Sequence, residues 1–219
     1  MADIRLSFSD GSRIGLIVRG KVSATHHPDL GQQHADAILA NGAPIGFYGT
    51  GNGGSANRVY MAMDGVVYDN MALRVQRPYY GDLDSALSNR VISTVLLITV
   101  TPAQGLAFTN AWSSMAIHPG NFNILGGNCS THASAAFIDC GLIGDGIPGL
   151  DTPDRLYDQL VASLPAASLQ SISGFIGFVA TSDGKGFDMV IRPYVDDPAV
   201  NRPNPGSYGA LSLSGQRST

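Results

Sequence analysis

The sequence predicts an α+β domain in which an antiparallel sheet packs against a few helices. Apolar residues make up 44% of the 219 residues and charged residues only 14%, which is typical of a globular chain rather than a disordered one. Short apolar runs alternate with Gly, Asn and Asp in the first half, and three marked helix starts follow from Thr101 onward. We assign residues 1–195 to one domain and the Pro/Gly/Ser-rich residues 196–219 to a C-terminal tail.

The first half is predicted to form an antiparallel meander. Asp64 and Gly65 form a dipeptide that favours a two-residue hairpin turn, so the runs on its two sides are predicted as separate strands. The expected strand segments are, in chain order, "IRLSFS", "IGLIVRG", "HADAIL", "PIGFYG", "RVYMAM" and "VVYDN". The run "VISTVLLITV" at 91–100 is continuous and β-branched, as in a central strand covered on both faces. Near the C-terminus, two further strand-like runs flank "SDGKG" and predict a hairpin.

Three helices are predicted from their capping signals. Thr101 precedes Pro102, with Gln104 three residues after the cap, so a helix is expected to begin there. A second helix is expected from about Cys129 to Cys140, ended by Gly141. A third is expected in "DTPDRLYDQLVASL", with Thr152 as its cap and Pro153 at its first position.

Charge and composition exclude several kinds of partner. The formal net charge is -4, which offers no basic surface for nucleic acid or for an anionic membrane. The longest apolar run is about half the length that a membrane-spanning helix requires, so stable membrane insertion is not expected. The segment "MADIRLSFSDGSRIG" has an acidic third residue and no apolar core of a secretory signal. We therefore expect a soluble protein made in the cytoplasm, whose export would use a route that reads no N-terminal signal.

The two cysteines are predicted to be free thiols of opposite character. On one helix, Cys129 and Cys140 would lie about 16 Å apart along the axis, too far for a disulfide. Cys129 opens the predicted helix after "GGN", where unpaired N–H groups and the helix dipole favour a thiolate. Asn128 is positioned to orient a group or to help hold an oxyanion. Cys140 lies at the other end of the helix, where the dipole disfavours a thiolate, and is expected to be structural.

A nucleophilic cysteine requires a base, and the chain has five histidines. His34 opens the predicted strand "HADAIL", so its ring can project from a rigid element toward a neighbouring helix. His132 lies three residues after Cys129 on the same helix and ranks second as the base. His26 and His27 belong to a predicted loop that also contains Asp29, without a recognisable zinc spacing, while His118 is expected in a turn.

A third polar group usually orients the catalytic histidine. Asp36 lies two residues beyond His34 and so on the same face of the strand, which places it in the expected catalytic set. Asp29, Tyr48 and Asp64 are further candidates between which the sequence does not choose. The segment "GTGNGGSAN" at 49–57 lacks the Lys-Ser/Thr of a phosphate-binding loop and is expected to be a flexible loop. No GxSxG motif is present, and neither a cofactor nor a metal is expected.

The order of "HADAILANGAPIGFYG" and, some eighty residues later, "GGNCSTHASAAFIDCGL" resembles the circularly permuted papain-like group. This group includes NlpC/P60-related and LRAT-like proteins, in which a histidine opens a strand and a later cysteine in an "NC" pair opens the helix packed on it. The resemblance covers about residues 30–165. It implies Cys129 as nucleophile, His34 as base and Asn128 as the residue before the nucleophile, in a papain-like fold.

Members of this group hydrolyse peptide amides of bacterial cell walls, act on lipids, or modify proteins as toxins. The resemblance therefore implies a cysteine amidase or peptidase, and among its members small ones without a signal resemble effectors delivered by type VI secretion. We expect an antibacterial effector that cleaves peptidoglycan stem peptides in the target-cell periplasm, with an immunity protein and the secretion apparatus as partners. Alternatives are a toxin acting on a protein glutamine or a lipid ester, and a non-enzymatic binding protein.

Overall fold

The computed structural model describes residues 2–29, 33–49, 63–68, 82–123, 126–144 and 152–194. Within these ranges the chain forms an α+β fold, as the sequence predicts, and it has nine strands and four α-helices. The strands are β1 (Ile4–Leu6), β2 (Arg13–Arg19), β3 (His34–Ile38), β4 (Pro44–Gly49), β5 (Met63–Tyr68), β6 (Ile92–Thr99), β7 (Asn121–Phe122), β8 (Leu169–Ala180) and β9 (Phe187–Pro193). The helices are α1 (Leu83–Ser88), α2 (Pro102–Ile117), α3 (Cys129–Asp139) and α4 (Pro153–Ser163).

All nine strands join one antiparallel sheet in the order β1-β9-β8-β6-β2-β3-β4-β5-β7. The predicted central strand is confirmed, because β6 lies between β2 and β8 and is buried along most of its length. The predicted meander holds for β2 to β5, but β1 pairs with β9 rather than with β2. The hairpin around "SDGKG" is also confirmed, as β8 pairs with β9 and Gly184 adopts a φ of 68°.

The hairpin expected at Asp64 and Gly65 is wrong. Strand β5 runs straight through the dipeptide, and Gly65 lies opposite Gly49 of β4. The Gly65 N–H donates to the carbonyl oxygen of Gly120, and a Cβ at Gly65 would overlap the ring of Phe47. The glycine is therefore required for close packing within the sheet, and this pairing overrides the local turn preference of the dipeptide.

The sheet curls so that strands far apart in its order touch. The turn between β3 and β4 reaches the start of β9, where the N–H of Phe187 donates to the carbonyl of Asn41 at 2.8 Å. Burial of apolar area on the concave side stabilises this curl. The buried residues on that side are Phe8, Ile17, Ile38, Val95, Leu97, Ile176, Phe178, Met189 and Ile191.

The other face of the sheet carries three of the helices. Strand residues such as Leu16, Val18 and Ala37 join Trp112 of α2 and Phe137 of α3 in the larger core. Helix α1 packs separately at β8, through Ala86, Ile92 and Phe175, and it was not predicted from the sequence. None of the helices in the described ranges is long and apolar enough to cross a bilayer.

The three predicted helix starts are confirmed with their caps. Thr101 and Gln104 form a reciprocal capping box at α2, and Thr152 caps α4 with Pro153 in its first turn. Helix α3 begins at Cys129 and is followed by Gly141, whose φ of 73° is the left-handed geometry that favours glycine. The predicted tail at 196–219 and most of the predicted glycine-rich loop, at 50–57, lie outside the described residues.

Candidate active site

Cys129, the first residue of helix α3, lies beside strand β3, just beyond the residues of β3 that pair with β4. The pairing of β3 with β4 stops at Asp36, which is opposite Gly46. One residue earlier, the N–H of Ala35 donates to the sulfur of Cys129 at 3.4 Å. The thiol thus accepts a hydrogen bond from an N–H of β3 just beyond the last residue pair of β3 with β4. Both cysteines are free, as predicted.

Asn128 fixes the position of Cys129 as the cap of helix α3. Its side-chain oxygen accepts hydrogen bonds from the N–H groups of Ser130 and Thr131, at 2.9 and 3.1 Å. The Thr131 hydroxyl in turn accepts from the N–H of Asn128 at 2.7 Å, which completes a reciprocal capping box. Asn128 is buried, so its contacts hold the first turn of the helix, and the sulfur with it, against the sheet.

His34 and Asp36 share one face of β3, as their spacing predicts. The Nε2 atom of His34 lies 3.2 Å from Oδ1 of Asp36, and the imidazole also forms a hydrogen bond with the Cys129 thiol. Because Nε2 faces Asp36, Nδ1 is the ring nitrogen left for the sulfur. The ring stacks on Tyr48 of β4, with centroids 4.6 Å apart and an interplanar angle of 21°. The imidazole is therefore held between the thiol and a buried carboxylate.

Asp36 is completely buried, and besides His34 it contacts Tyr48 and Arg19. Tyr48 donates its hydroxyl to Oδ1 of Asp36 at 2.5 Å. Arg19 of β2 donates to Oδ2 through Nε at 3.1 Å and Nη2 at 2.9 Å. A Cβ at Gly46 would overlap the carboxylate, so the absence of a side chain there leaves the room that Asp36 occupies.

The site favours a thiolate–imidazolium pair. Burial disfavours charge on both groups, but the attraction to Cys129 and Asp36 outweighs it and raises the pKa of His34 to about 9. For Cys129, burial opposes the thiolate, while His34 and the Ala35 N–H outweigh it and lower the pKa. Burial raises the pKa of Cys140 to about 11, and its thiol donates to the carbonyl of Phe137.

The other histidines are engaged elsewhere. His132, the second-ranked base, stacks on Phe47 with centroids 3.5 Å apart, and its Nε2 lies 3.1 Å from the carbonyl of Pro119. Burial lowers the pKa of His132, so it is a neutral packing residue of helix α3. His26 accepts from the N–H of Val22, and His118 caps the end of α2.

His27 belongs to a separate charged cluster. Its Nδ1 atom and one carboxylate oxygen each of Asp154 and Asp158 lie within 4.8 Å of one another and are potential metal ligands. The fully buried Lys21 already donates to the other oxygen of Asp154, at 2.5 Å, and to the carbonyl of His26. The positive charge of Lys21 offsets the negative charge of Asp154, which a metal cation would need. The cluster is therefore an ion-pair network that joins the segment just after β2 to α4.

The structure brings together the three predicted catalytic residues and adds Arg19, which sequence reasoning missed. Of the further candidates for the third group, Tyr48 contributes through Asp36, whereas Asp64 lies exposed on β5. An arginine in the apolar strand "RIGLIVR" and an aspartate in the buried strand "HADAI" are a signal that was available, because buried opposite charges require each other. No family model, curated protein or solved structure matches the chain.

Proposed function

We propose that the protein is a cysteine-dependent amidase or peptidase. The observation that carries the proposal is the convergence of Cys129, His34 and Asp36 in an arrangement whose hydrogen bonds favour a thiolate. The permuted papain-like architecture inferred from the sequence agrees with this, because the histidine strand precedes the cysteine helix in the chain. A buried structural cysteine would not need a histidine and a fully buried aspartate beside it.

The reaction follows from the positions of the donors and acceptors. The Cys129 thiolate attacks the amide carbonyl carbon, and the His34 imidazolium then gives its proton to the leaving amine. The resulting thioester is hydrolysed by water, which His34 deprotonates as it adds, and the thiolate is released. The N–H of Cys129, which the Asn128 cap does not engage, is the donor proposed for the oxyanion.

For the substrate we propose the stem peptides of peptidoglycan. This part of the proposal rests on the resemblance to the permuted papain-like group, and so do delivery as an antibacterial effector and a neutralising immunity protein. A protein glutamine and a lipid ester are the other acyl substrates that the same nucleophile serves.

Mass spectrometry of purified peptidoglycan incubated with the protein tests the proposal. We expect cleaved stem peptides with the wild type and with Cys140→Ala, and none with Cys129→Ala. Intact stem peptides in all three digests would reject the substrate. A Cys129 that also fails to react with small electrophiles would instead support the non-enzymatic alternative.

A further inference from the structure

Arg19 of β2 lies directly opposite His34 of the neighbouring strand β3. In the pairing of β2 with β3, Arg19 is opposite His34, and Ile17 is opposite Asp36. Paired residues of an antiparallel sheet project from the same face, so Arg19 shares the concave face with His34 and Asp36. Along that face the side chains change from apolar, at Ile17 and Ile38, to charged where Arg19 contacts Asp36.

The guanidinium is almost completely removed from water. Arg19 is 1% exposed and Asp36 is 0% exposed, and the two nitrogens of Arg19 hold a single carboxylate oxygen. A buried carboxylate without a cation becomes protonated, because burial penalises its charged form. Arg19 therefore places a positive charge against the buried carboxyl group of Asp36.

The hydrogen bonds from Arg19 to Oδ2 also determine which oxygen of Asp36 faces the imidazole. With Oδ2 held by Arg19, Oδ1 is turned toward His34 and Tyr48. The contact with His34, at 3.2 Å, is the longest of these, so Asp36 is held mainly by Arg19 and Tyr48 and not by the ring that it orients. Of the described titratable side chains, His34 and Asp36 act on the thiol, Arg19 and Tyr48 contact Asp36, and His132 turns to Pro119.

We propose that Arg19 is a positioning residue of the reaction, which acts through Asp36 to hold His34 as the charged partner of the Cys129 thiolate. The inference rests on the proposed function. We expect the removal of Arg19 to disfavour the thiolate through the protonation of Asp36. Burial without the guanidinium disfavours the charged form of the carboxyl, and once Asp36 is protonated the imidazolium loses its anionic partner.

The test is the pH profile of Cys129 alkylation by iodoacetamide in the full chain, which requires no substrate. In Arg19→Met we expect the acid midpoint to move up by about one pH unit, so that alkylation at a pH well below both midpoints is about tenfold slower than in the wild type. In Arg19→Lys, which keeps the charge but loses the planar two-nitrogen contact, we expect a smaller shift in the same direction.

Arg192→Met is the control, because the partly exposed Arg192 also holds a carboxylate with two nitrogens, at Asp3, and lies on β9, three strands away from β2 in the sheet. We expect no shift in that variant. A folded Arg19→Met protein with the wild-type midpoint would overturn the inference, and if that variant does not fold, an unshifted Arg19→Lys would do so. A wild-type Cys129 no more reactive than Cys140 would instead reject the proposed function.

Discussion

At Cys129, burial and ion pairing act in opposite directions on the thiol. Ion pairing outweighs burial because His34 and the Ala35 N–H reach the sulfur, while Asp36 stabilises the imidazolium from the far side of the ring. Cys140 has no such partner among the groups that shift its pKa, and burial alone dominates there. Two thiols of one helix therefore differ in chemistry because of what lies next to each of them.

Alkylation at mildly acidic pH should separate the two thiols. The pKa of Cys129 is below its ordinary value and that of Cys140 is about 11, so at mildly acidic pH the thiolate fraction of Cys129 far exceeds that of Cys140. As the pH rises through about 9, His34 loses its proton, so the thiolate–imidazolium ion pair is lost as well. We expect iodoacetamide at pH about 6 to label Cys129 at least tenfold faster than Cys140, as measured by peptide mass spectrometry. Equal labelling of the two cysteines would contradict the assignment of an activated thiol.

At the scale of elements, local signals predicted the helices better than the strands. The caps at Thr101 and Thr152 and the start at Cys129 depend on bonds within a few residues, so they are readable from the sequence. Strand β5 was predicted wrongly because its course depends on Gly49 and Gly120, which are distant in the chain. Arg19 was missed for the same reason, because its contact with Asp36 forms only when β2 pairs with β3.

Asn128→Ala should affect both the stability of helix α3 and the reactivity of its first residue. The side-chain oxygen of Asn128 accepts from two N–H groups, and loss of such a cap costs about 0.5–2 kcal/mol of the free energy of unfolding. Without the cap, Cys129 is held less firmly against the Ala35 N–H, so its alkylation at pH about 6 should slow as well. Denaturant unfolding and alkylation measure the two effects.

The matched control is Thr101→Ala, which removes the capping box of α2. We expect a similar loss of stability in that variant with an unchanged rate of Cys129 alkylation. If both variants slowed alkylation equally, general destabilisation rather than local positioning would account for the effect of Asn128.

At the scale of the whole molecule, the curl of the sheet connects the site to the apolar concave core. His34 and Asp36 continue the face that carries Ile38, so the strands that form this core also align the two side chains of the candidate site. The sequence predicted the antiparallel sheet and the His34–Cys129 pair, but not the pairing of β1 with β9 or the contact that closes the curl. Those contacts join segments more than a hundred residues apart, and hydrophobic patterning alone does not specify them.

Gly42→Ala should open the curl of the sheet. Gly42 has a φ of 83°, and a Cβ there would overlap the carbonyl oxygen of Phe187 at the start of β9. Gly184 has a similar φ of 68° but nothing within 4 Å of a Cβ, so Gly184→Ala carries the backbone strain alone. We expect that strain to cost about 1–2 kcal/mol in either variant, with about 1–3 kcal/mol more in Gly42→Ala from the overlap. Denaturant unfolding measures the difference, and equal losses of stability in the two variants would show that the contact between the β3–β4 turn and β9 does not hold the curl.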